Sequence, residues 1–341
     1  KAIGEGKAEK VFYLCAKNVT ASVAYDTLRL LYQQEVAFKS VAITAKDKIC
    51  FQDVRNCDPE VCPYAKGYYD RCQDALYELL QETQFMERAA IEKKAQEHCI
   101  CPFELSLDAS LYSDVIVCDY NYVFDPRVYL KRFFMEKGEY VFLVDEAHNL
   151  VGRAREMYSA RMVKEEILEV KRKIRGRKKK LERALERCNK SMLEMKRSGE
   201  GYQMFDNVHL LASELMTVLG ELEVFLEEER EFPERESVLE FYFELRHFLN
   251  MYEGLDDHYR IYGELGEDGR YRLHLLCIDP SRLLSQCLEK SSGTILFSAT
   301  LLPVRYYKRL LSGNEEDYAV YVNSPFESKN RLLLIASDVS S

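Results

Sequence analysis

Two apolar runs, each ending in a short polar motif, constrain the fold of this chain more than any other feature of its sequence. The run 140–144 leads into Asp-Glu-Ala-His at 145–148, and the run 294–297 leads into Ser-Ala-Thr at 298–300. Short runs of aromatic and β-branched residues predict buried strands. Ligands of open α/β sheets bind at the carboxyl ends of the strands. We therefore predict a parallel sheet with both motifs at its ligand-binding edge.

The chemistry of the two motifs points to a nucleotide site. Neighbouring carboxylates can hold Mg²⁺ on a nucleotide and orient an attacking water. We assign Asp145 to the Mg²⁺ shell and Glu146 to the water. His148 would relay the state of the nucleotide toward Ser298 and Thr300. A solvated acidic turn is the simpler interpretation of the first motif alone, but the second motif, in the expected order, favours the nucleotide site.

The remaining sequence predicts a sheet that is interrupted twice. Further buried-strand runs lie at 11–14, 41–44 and 115–118, and a helical stretch follows the first of them. A cysteine-bearing segment of poor periodicity, 48–103, and a charged, strongly helix-forming segment, 161–270, separate the strands. Strands that alternate with helices around two insertions favour a parallel α/β fold.

A phosphate-binding loop of the form GxxxxGK[ST] is absent from this sequence. Gly-Glu-Gly-Lys-Ala at 4–8 is a poor substitute, because it lacks the Ser or Thr for Mg²⁺ and precedes the first predicted strand. The sequence also stops abruptly after the apolar run 332–335, which is typical of a truncated chain. We expect no efficient ATP hydrolysis by these residues alone.

The composition is typical of a soluble globular protein of two or three domains, with 341 residues, 47% hydrophobic and 31% charged. No charged-then-apolar leader begins the chain, and no stretch approaches the roughly 20 apolar residues of a transmembrane helix. We expect a cytoplasmic protein without a membrane role. Eleven cysteines in such a chain indicate reduced thiols and a metal site more than disulfides.

The charge is distributed unevenly. A net charge of −9 and a pI near 5.4 argue against a surface that binds nucleic acid throughout. The segment 164–187 nevertheless holds eleven Lys or Arg against five Glu, whereas 221–240 holds nine Glu against two Arg. Two solvated helix faces that attract each other are the simpler interpretation, and phosphate contact by the basic segment is the alternative.

Six of the cysteines fall between the second and third predicted strands, at positions 50, 57, 62, 72, 99 and 101. Four thiolates that converge from loops can bind Zn²⁺ or an iron–sulfur cluster. The paired CxxC knuckles of zinc ribbons are missing, and the irregular spacing favours a compact iron–sulfur cluster. Buried free cysteines are the remaining alternative. The other five, Cys15, Cys118, Cys188, Cys277 and Cys287, are interpreted as packing residues.

Segments spread over nearly the whole chain carry a family resemblance. They are 101–103, 119–126, 144–149, 297–300 and 324–326. On these segments the chain resembles the XPD/DinG family of iron–sulfur superfamily 2 DNA helicases and is most similar to its bacterial DinG-like branch. The resemblance implies a RecA-like parallel-sheet motor domain of the P-loop type, interrupted by a [4Fe–4S] insertion and a mainly helical arch.

The resemblance also implies domain boundaries. The first motor domain would comprise 1–47, 104–160 and 271–325, the iron–sulfur insertion 48–103, the arch 161–270, and the start of a second motor domain 326–341. The implied cluster ligands are Cys50, Cys57, Cys62 and Cys101. Cys101 is chosen because the last ligand of the family precedes a proline and an aromatic residue, a test that Cys99 fails. Cys72 is the main competitor for one of the first three places.

The expected DNA contacts follow from the same resemblance. Cys15-Ala16-Lys17 is similar to a Thr-Ala-Lys motif of the family, with cysteine at its first position. The candidate contacts are Lys17, Thr20, Tyr120, Asn121 and Tyr122. Aromatic faces can stack on bases, although simple packing is the more ordinary role of a tyrosine-rich segment.

The implied function is that of an ATP-dependent DNA helicase, with ATP, Mg²⁺ and a [4Fe–4S] cluster. It would move 5′ to 3′ on single-stranded DNA and unwind forked or tailed duplexes in DNA repair or replication, as a monomer in a bacterial cytoplasm. One alternative is a non-catalytic nucleic-acid-binding scaffold with a structural metal site, against which the intact motifs at 145–148 and 298–300 argue. A zinc-bearing RNA helicase is the other, and the cysteine segment argues against it.

Overall fold

The computed structural model describes residues 1–16, 18–199, 201–314, 316–323 and 327–330. Three sequence predictions therefore fall outside the described residues. They concern Lys17, the motif at 324–326, and residues 331–341 of the predicted second motor domain.

The described residues form ten strands, numbered here in chain order. They are β1 (Lys10–Cys15), β2 (Ser40–Ala42), β3 (Phe85–Met86), β4 (Val115–Asp119), β5 (Tyr140–Val144), β6 (Ala160–Val163), β7 (Tyr202–Phe205), β8 (Tyr259–Leu265), β9 (Tyr271–Cys277) and β10 (Gly293–Leu296). Six of them form a sheet in the order β10-β5-β1-β4-β2-β3, in which all neighbours are parallel. The predicted parallel α/β fold is thus confirmed.

The helices are numbered in the same way. They are α1 (Asn18–Gln33), α2 (Lys46–Ile49), α3 (Tyr68–Glu82), α4 (Arg88–Glu97), α5 (Pro102–Leu111), α6 (Asn121–Phe124), α7 (Lys131–Phe134), α8 (His148–Met157), α9 (Lys164–Lys173), α10 (Lys179–Ser198), α11 (His209–Glu228), α12 (Arg235–Glu253), α13 (Ser281–Leu288) and α14 (Val304–Leu311). A 3₁₀ turn spans Ser328–Asn330. Within the described ranges, none of these helices combines the length and the apolar character that a membrane crossing requires.

Both faces of the central strand β1 pack against apolar residues, which is why β1 reads as a nearly continuous apolar run. On one face, Phe12, Leu14 and Phe142 are fully buried in the main core. On the other face, α1 packs Ala24 and Leu28 in a smaller apolar cluster with the sheet. Alternate residues of β1 therefore pack into different apolar clusters on the two faces of the sheet.

The cysteine-bearing segment is more regular than its sequence suggested. It contains helices α3 and α4 and the short strand β3, which pairs in parallel with β2 at the edge of the main sheet. Ala75 and Leu79 are buried four residues apart on α3, as are Ile91 and Ala95 on α4. The segment predicted as an insertion thus also contributes an edge strand, and its boundaries stay a prediction.

An antiparallel sheet that the sequence interpretation missed lies in the second insertion and extends beyond it, because β9 follows residue 270, where that insertion was predicted to end. Its four strands lie in the order β6-β9-β8-β7, and helices α9 to α12 accompany them. Tyr-Arg-Ile-Tyr-Gly-Glu-Leu in β8 and Tyr-Arg-Leu-His-Leu-Leu-Cys in β9 alternate between buried and more exposed side chains. An Asp268-Gly269 turn, with φ +73° at the glycine, lies between them. This alternation of period two, together with the turn, was the sequence pattern that could have predicted the hairpin of β8 and β9.

The two oppositely charged segments contact each other. Arg177 lies 3.3 Å from Glu229, and Lys178 forms an ion pair with Glu228. These pairs join the start of the basic helix α10 to the end of the acidic helix α11. They agree with the simpler of the two interpretations, in which the segments attract each other.

Candidate nucleotide edge and cysteine cavity

The two polar motifs meet at the carboxyl end of the parallel sheet. Strands β5 and β10 are neighbours, with Val144 opposite Leu296. Beyond them, the amide of Phe297 donates to the carbonyl of Val144 at 3.0 Å, and the amide of Ala147 donates to the carbonyl of Phe297 at 3.1 Å. The backbone therefore holds the Asp-Glu-Ala-His turn and the Ser-Ala-Thr segment side by side.

Four of the predicted site residues share one hydrogen-bond network. The Ser298 hydroxyl donates to Glu146 Oε2 at 2.8 Å and lies 2.7 Å from His148 Nδ1. His148 Nδ1 is also 3.1 Å from Glu146 Oε2. Thr300 Oγ1 lies 3.3 Å from the same ring nitrogen. A change in the position of the Glu146 carboxylate must therefore alter the contacts of His148 and Ser298.

Asp145 is oriented by groups that the sequence interpretation did not identify. The Tyr13 hydroxyl donates to Asp145 Oδ2 at 3.0 Å, and the Glu146 amide donates to Oδ1 at 2.8 Å. The buried Tyr120 hydroxyl donates to the backbone carbonyl of Asp145. Burial and, next, the Asp145 carboxylate raise the pKa of Tyr13, so this hydroxyl stays a donor. Each carboxylate oxygen keeps a lone pair free for a metal ion.

The backbone of Glu146 adopts a left-handed conformation, with φ +48°. A non-glycine residue in this region costs about 1–3 kcal/mol and persists only where surrounding contacts enforce it. Two hydrogen bonds enforce it here. The Glu146 amide donates to Asp145 Oδ1, and the Ala147 amide donates to the carbonyl of Phe297. The turn thus aims the Glu146 carboxylate at Ser298 and His148.

The predicted DNA contacts occupy different environments. Tyr120 is fully buried, so the predicted stacking role does not fit its position, and its hydroxyl instead supports Asp145. Asn121 Oδ1 accepts a 2.7 Å bond from Arg153. Tyr122 is nearly buried but lines a groove next to Asn121. Thr20 lies in the first turn of α1.

That groove has a volume of about 780 Å³ and opens beside the ends of β2 and β4. Its basic and aromatic lining residues are Lys46, Lys48, Arg55, Arg88, Lys131, Arg132, Tyr25, Phe103, Tyr122 and Tyr129. The Lys46 ammonium lies 5.2 Å from the centre of the Phe103 ring. Cationic grooves with aromatic faces bind single-stranded nucleic acids by phosphate contact and base stacking.

The four cysteines predicted as cluster ligands line one cavity of about 200 Å³. They are Cys50, Cys57, Cys62 and Cys101. Neither Cys72 nor Cys99 is among its lining residues. Among the described residues, no three Cys, His, Asp or Glu side chains converge on a single metal ion. The donor set suits a [4Fe–4S] cluster chemically, because such a cluster is held by four thiolates.

The position of Cys101 before a helix explains the proline that follows it. Cys101 precedes α5, and Pro102 takes the first helical position, where a missing amide hydrogen costs nothing. Burial raises the pKa of the Cys101 thiol, while the backbone amides of Glu104 and Phe103 and the Lys46 ammonium oppose this effect. Lys46 is thus placed to balance negative charge on the thiols of this cavity.

Two further residues, which the sequence interpretation did not predict, contact the candidate nucleotide edge, the carboxyl end of the parallel sheet with residues 145–148 and 298–300. Tyr13 lies in β1, where alternation put it on the α1 side of the sheet. Arg153, in α8, donates to the Ala16 carbonyl at 3.1 Å and to Asp119 at 3.1 Å, besides its bond to Asn121. It therefore ties together the ends of β1 and β4. Their roles depend on contacts between distant segments, for which the sequence held no local signal.

Comparison with known proteins gives matches in sequence. The family described as DEAD_2 matches residues 30–167. A stretch of 89 residues is 28% identical to the Regulator of telomere elongation helicase 1 homolog of Caenorhabditis briggsae, covering 26% of this chain and 9% of that protein. Another stretch of 118 residues is 25% identical to the Fanconi anemia group J protein homolog of Gallus gallus, covering 33% of this chain and 9% of that protein. The chain thus aligns with about a tenth of the length of these relatives.

Two solved structures share the fold. One is an XPD helicase with a TM-score of 0.55 and 18% identity, covering 89% of this chain and 52% of that one. The other is a truncated XPD with a TM-score of 0.58 and 18% identity, covering 93% and 88%. At 18% identity, these two matches show a shared fold. The finer placement in a DinG-like branch stays a prediction.

Proposed function

We propose that this chain forms the first motor domain of an ATP-dependent DNA helicase. The observation that carries the proposal is the network of Ser298, Glu146 and His148, because it joins the acidic turn of β5 to the segment after β10. Such a connection can transmit the state of a bound nucleotide to other parts of a motor. Translocation from 5′ to 3′, the DinG-like branch and a role in DNA repair or replication are the finer parts of this proposal.

At the nucleotide edge, Asp145 would hold Mg²⁺ and Glu146 would orient the attacking water. When bound there, Mg²⁺ would supply positive charge that stabilises the negative charge of the nucleotide phosphates. The free lone pairs of Asp145 and its fixed orientation by Tyr13 fit this role. Glu146 can accept a proton from the water, while His148, Ser298 and Thr300 respond to the position of its carboxylate. The phosphate loop that the proposal requires is not among these 341 residues.

The proposed track for single-stranded DNA is the basic and aromatic groove beside β2 and β4. Its cations would contact phosphates, and Tyr122 and Phe103, whose ring centres are 6.4 Å apart, lie at its wall. We retain Asn121 and Tyr122 as contacts and leave Tyr120 out. Lys17 and Thr20 remain candidates from the sequence. Forked or tailed duplexes would be the substrates, and a monomer would be the working form.

The cysteine cavity lies against one wall of the same groove. Lys46 lines both the groove and the cavity. Phe103, which follows the cavity residue Cys101 closely in the sequence, lines the groove. We propose that Cys50, Cys57, Cys62 and Cys101 hold a [4Fe–4S] cluster. When bound, the cluster would cross-link the loops around α2, α3 and α5 and keep the wall of the groove rigid.

The decisive test of the proposed motor is Glu146→Gln in a form of the protein that carries a phosphate loop and a second motor domain. We expect DNA-stimulated ATP hydrolysis to fall at least about 100-fold, because the base that orients the water is lost. Nucleotide affinity should stay within about threefold, since Asp145 is unchanged. Unaltered turnover in a correctly folded variant would remove Glu146 from the site and the proposal with it.

A further inference from the structure

The antiparallel sheet of the second insertion has one covered face and one open face. The covered face is formed by buried residues of the two central strands, Tyr259, Ile261, Leu273 and Leu275. The opposite face has exposed apolar side chains: Tyr202 is 59% exposed, Met204 48% and Leu276 39%. Apolar and aromatic side chains at this exposure on one sheet face indicate an interaction surface.

A row of rings runs across this open face. The Tyr202 and Tyr262 rings have centres 5.2 Å apart, and Tyr262 stacks on His274 at 4.5 Å with an angle of 6° between the ring planes. Tyr262 therefore lies between the other two rings. Tyr202 forms the open end of the row, so one of its faces is available to extend the stack.

Positive charge borders the row. Arg161 on β6 lies directly opposite His274 in the strand register, and Arg260 on β8 lies opposite Leu276. Both arginines are exposed and neither forms an ion pair among the described residues, while Arg260 Nη1 donates to the carbonyls of Asp257 and Tyr259 at 3.0 and 2.6 Å. The Glu264 carboxylate on the same face is bonded to His274 at 3.1 Å. The surface thus carries two exposed cations in a chain whose net charge is −9, and Arg161 also acts on the Glu166 carboxylate, where it opposes the rise of the pKa.

The spacing of the two arginines suits an extended ligand. They lie on strands separated by β9, which corresponds to about 10 Å across the sheet, and their partners on β9 are two residues apart, about 7 Å along it. The guanidinium groups can therefore bind different phosphates of one strand. Four-stranded antiparallel sheets with exposed aromatic rings and basic side chains bind single-stranded nucleic acids in this manner.

We propose that the open face formed by Tyr202, Tyr262, His274, Arg161 and Arg260 is a second binding site for single-stranded nucleic acid, separate from the groove beside β2 and β4. A base stacks on the free face of Tyr202, and the two arginines bind phosphates. The proposal rests on the proposed function only for its choice of DNA over RNA.

The absence of tryptophan from the chain permits a direct test. Tyr202→Trp introduces the only tryptophan of the chain at the proposed stacking position. Tyr112→Trp is the matched control, because Tyr112 is also 59% exposed but lies just before β4, at the amino end of the parallel sheet. A 12-nucleotide oligo-dT is titrated into each variant of the 341-residue chain, and its binding is followed in parallel by the anisotropy of a dye on the oligonucleotide.

We expect oligo-dT to quench the fluorescence of Tyr202→Trp and to leave that of Tyr112→Trp unchanged. Adding Arg161→Ala and Arg260→Ala to Tyr202→Trp should weaken the quenching transition about tenfold. It should also lower the dependence of log K on log salt concentration by about 1.4, the value for two phosphate contacts to a single strand. An oligo-U titration then shows whether the site prefers DNA.

The outcomes separate this site from the proposed motor. Anisotropy binding without quenching of Tyr202→Trp overturns the second site and leaves the groove as the place of binding. Quenching that persists unchanged in the double arginine variant overturns the phosphate contacts. Binding in neither assay, with circular dichroism showing folded protein, removes the second site and also contradicts the DNA track of the proposed function.

Discussion

The Ser298 hydroxyl donates a 2.8 Å hydrogen bond to Glu146 Oε2 although the two residues are 152 positions apart in the chain. This contact exists because β5 and β10 are adjacent in the sheet and end at the same edge. It links the residue proposed to orient the attacking water to the segment proposed to sense the nucleotide.

Ser298→Ala should separate ATP hydrolysis from unwinding. Loss of the hydroxyl removes a bond to Glu146 worth about 1 kcal/mol of unfolding free energy, together with the contacts of Ser298 with His148 and Thr300. In a protein with both motor domains, we expect DNA-stimulated hydrolysis within about fivefold of the parent and a much larger loss of unwinding. Ser292→Ala is the control, because that hydroxyl donates to the Tyr140 carbonyl at 2.9 Å near the other end of β10. Equal losses in both variants would argue against coupling.

Tyr13→Phe should weaken the response of ATP hydrolysis to Mg²⁺. The tyrosine hydroxyl orients Asp145, and groups that orient a metal ligand typically contribute about 10-fold to 100-fold in metal affinity. The expected result is a rise of about tenfold in the Mg²⁺ concentration for half-maximal hydrolysis. Tyr140→Phe serves as the comparison, since Tyr140 lies at the start of β5, away from the site. An identical Mg²⁺ dependence in Tyr13→Phe and the parent would remove Tyr13 from the metal site.

Cys57→Ser should abolish the proposed cluster. Cys57 lines the cysteine cavity, whereas Cys99, which is also exposed, does not. In anaerobically purified protein we expect about four irons and four sulfides per chain for the parent and for Cys99→Ser, and less than about one iron for Cys57→Ser. Limited proteolysis should cut residues 48–103 of Cys57→Ser faster. Zinc without sulfide in the parent would identify a structural zinc site instead.

Lys48 and Lys131 should contribute phosphate contacts in the basic groove. Both are exposed groove residues that take part in no ion pair within the described ranges. Changing both to Ala should weaken binding of single-stranded DNA and lower the salt slope by about 1.4. Lys180→Ala with Lys190→Ala makes the same change of charge on α10. Equal effects of the two pairs would mean that net charge, and not the groove, determines affinity.

Glu166→Gln should raise stability at neutral pH more than at acidic pH. Burial, followed by the Glu244 carboxylate, raises the pKa of Glu166 above its ordinary 4.5, and Arg270 only partly opposes them. The folded state therefore binds this proton more tightly than the unfolded state, so its stabilising effect is lost as pH rises through the raised pKa. We expect the gain in Tm from Glu166→Gln to be larger at pH 7 than at pH 4. Glu227→Gln, at an exposed position of α11, should show no such difference.

The sequence by itself determined the parallel sheet and the composition of its edge. Runs such as 11–14 are apolar because both faces of strand β1 pack against apolar clusters, and this pattern can be recognised in the sequence alone. The order of the two motifs then predicted that Asp145, Glu146, His148 and Ser298 lie together, and they do. The antiparallel sheet was missed because its strands are separated by strongly helix-forming sequence, although β8 and β9 alternate over seven residues each.

Only the tertiary structure decided which side chains complete the site. Tyr13 reaches Asp145 across 132 positions, and Arg153 joins the ends of two strands to α6, through contacts that no local pattern encodes. Tyr120, which was predicted to contact DNA, is buried in the core, where its hydroxyl donates to the backbone carbonyl of Asp145. Periodicity reports which residues are buried, whereas the partner of each polar group depends on how distant segments pack.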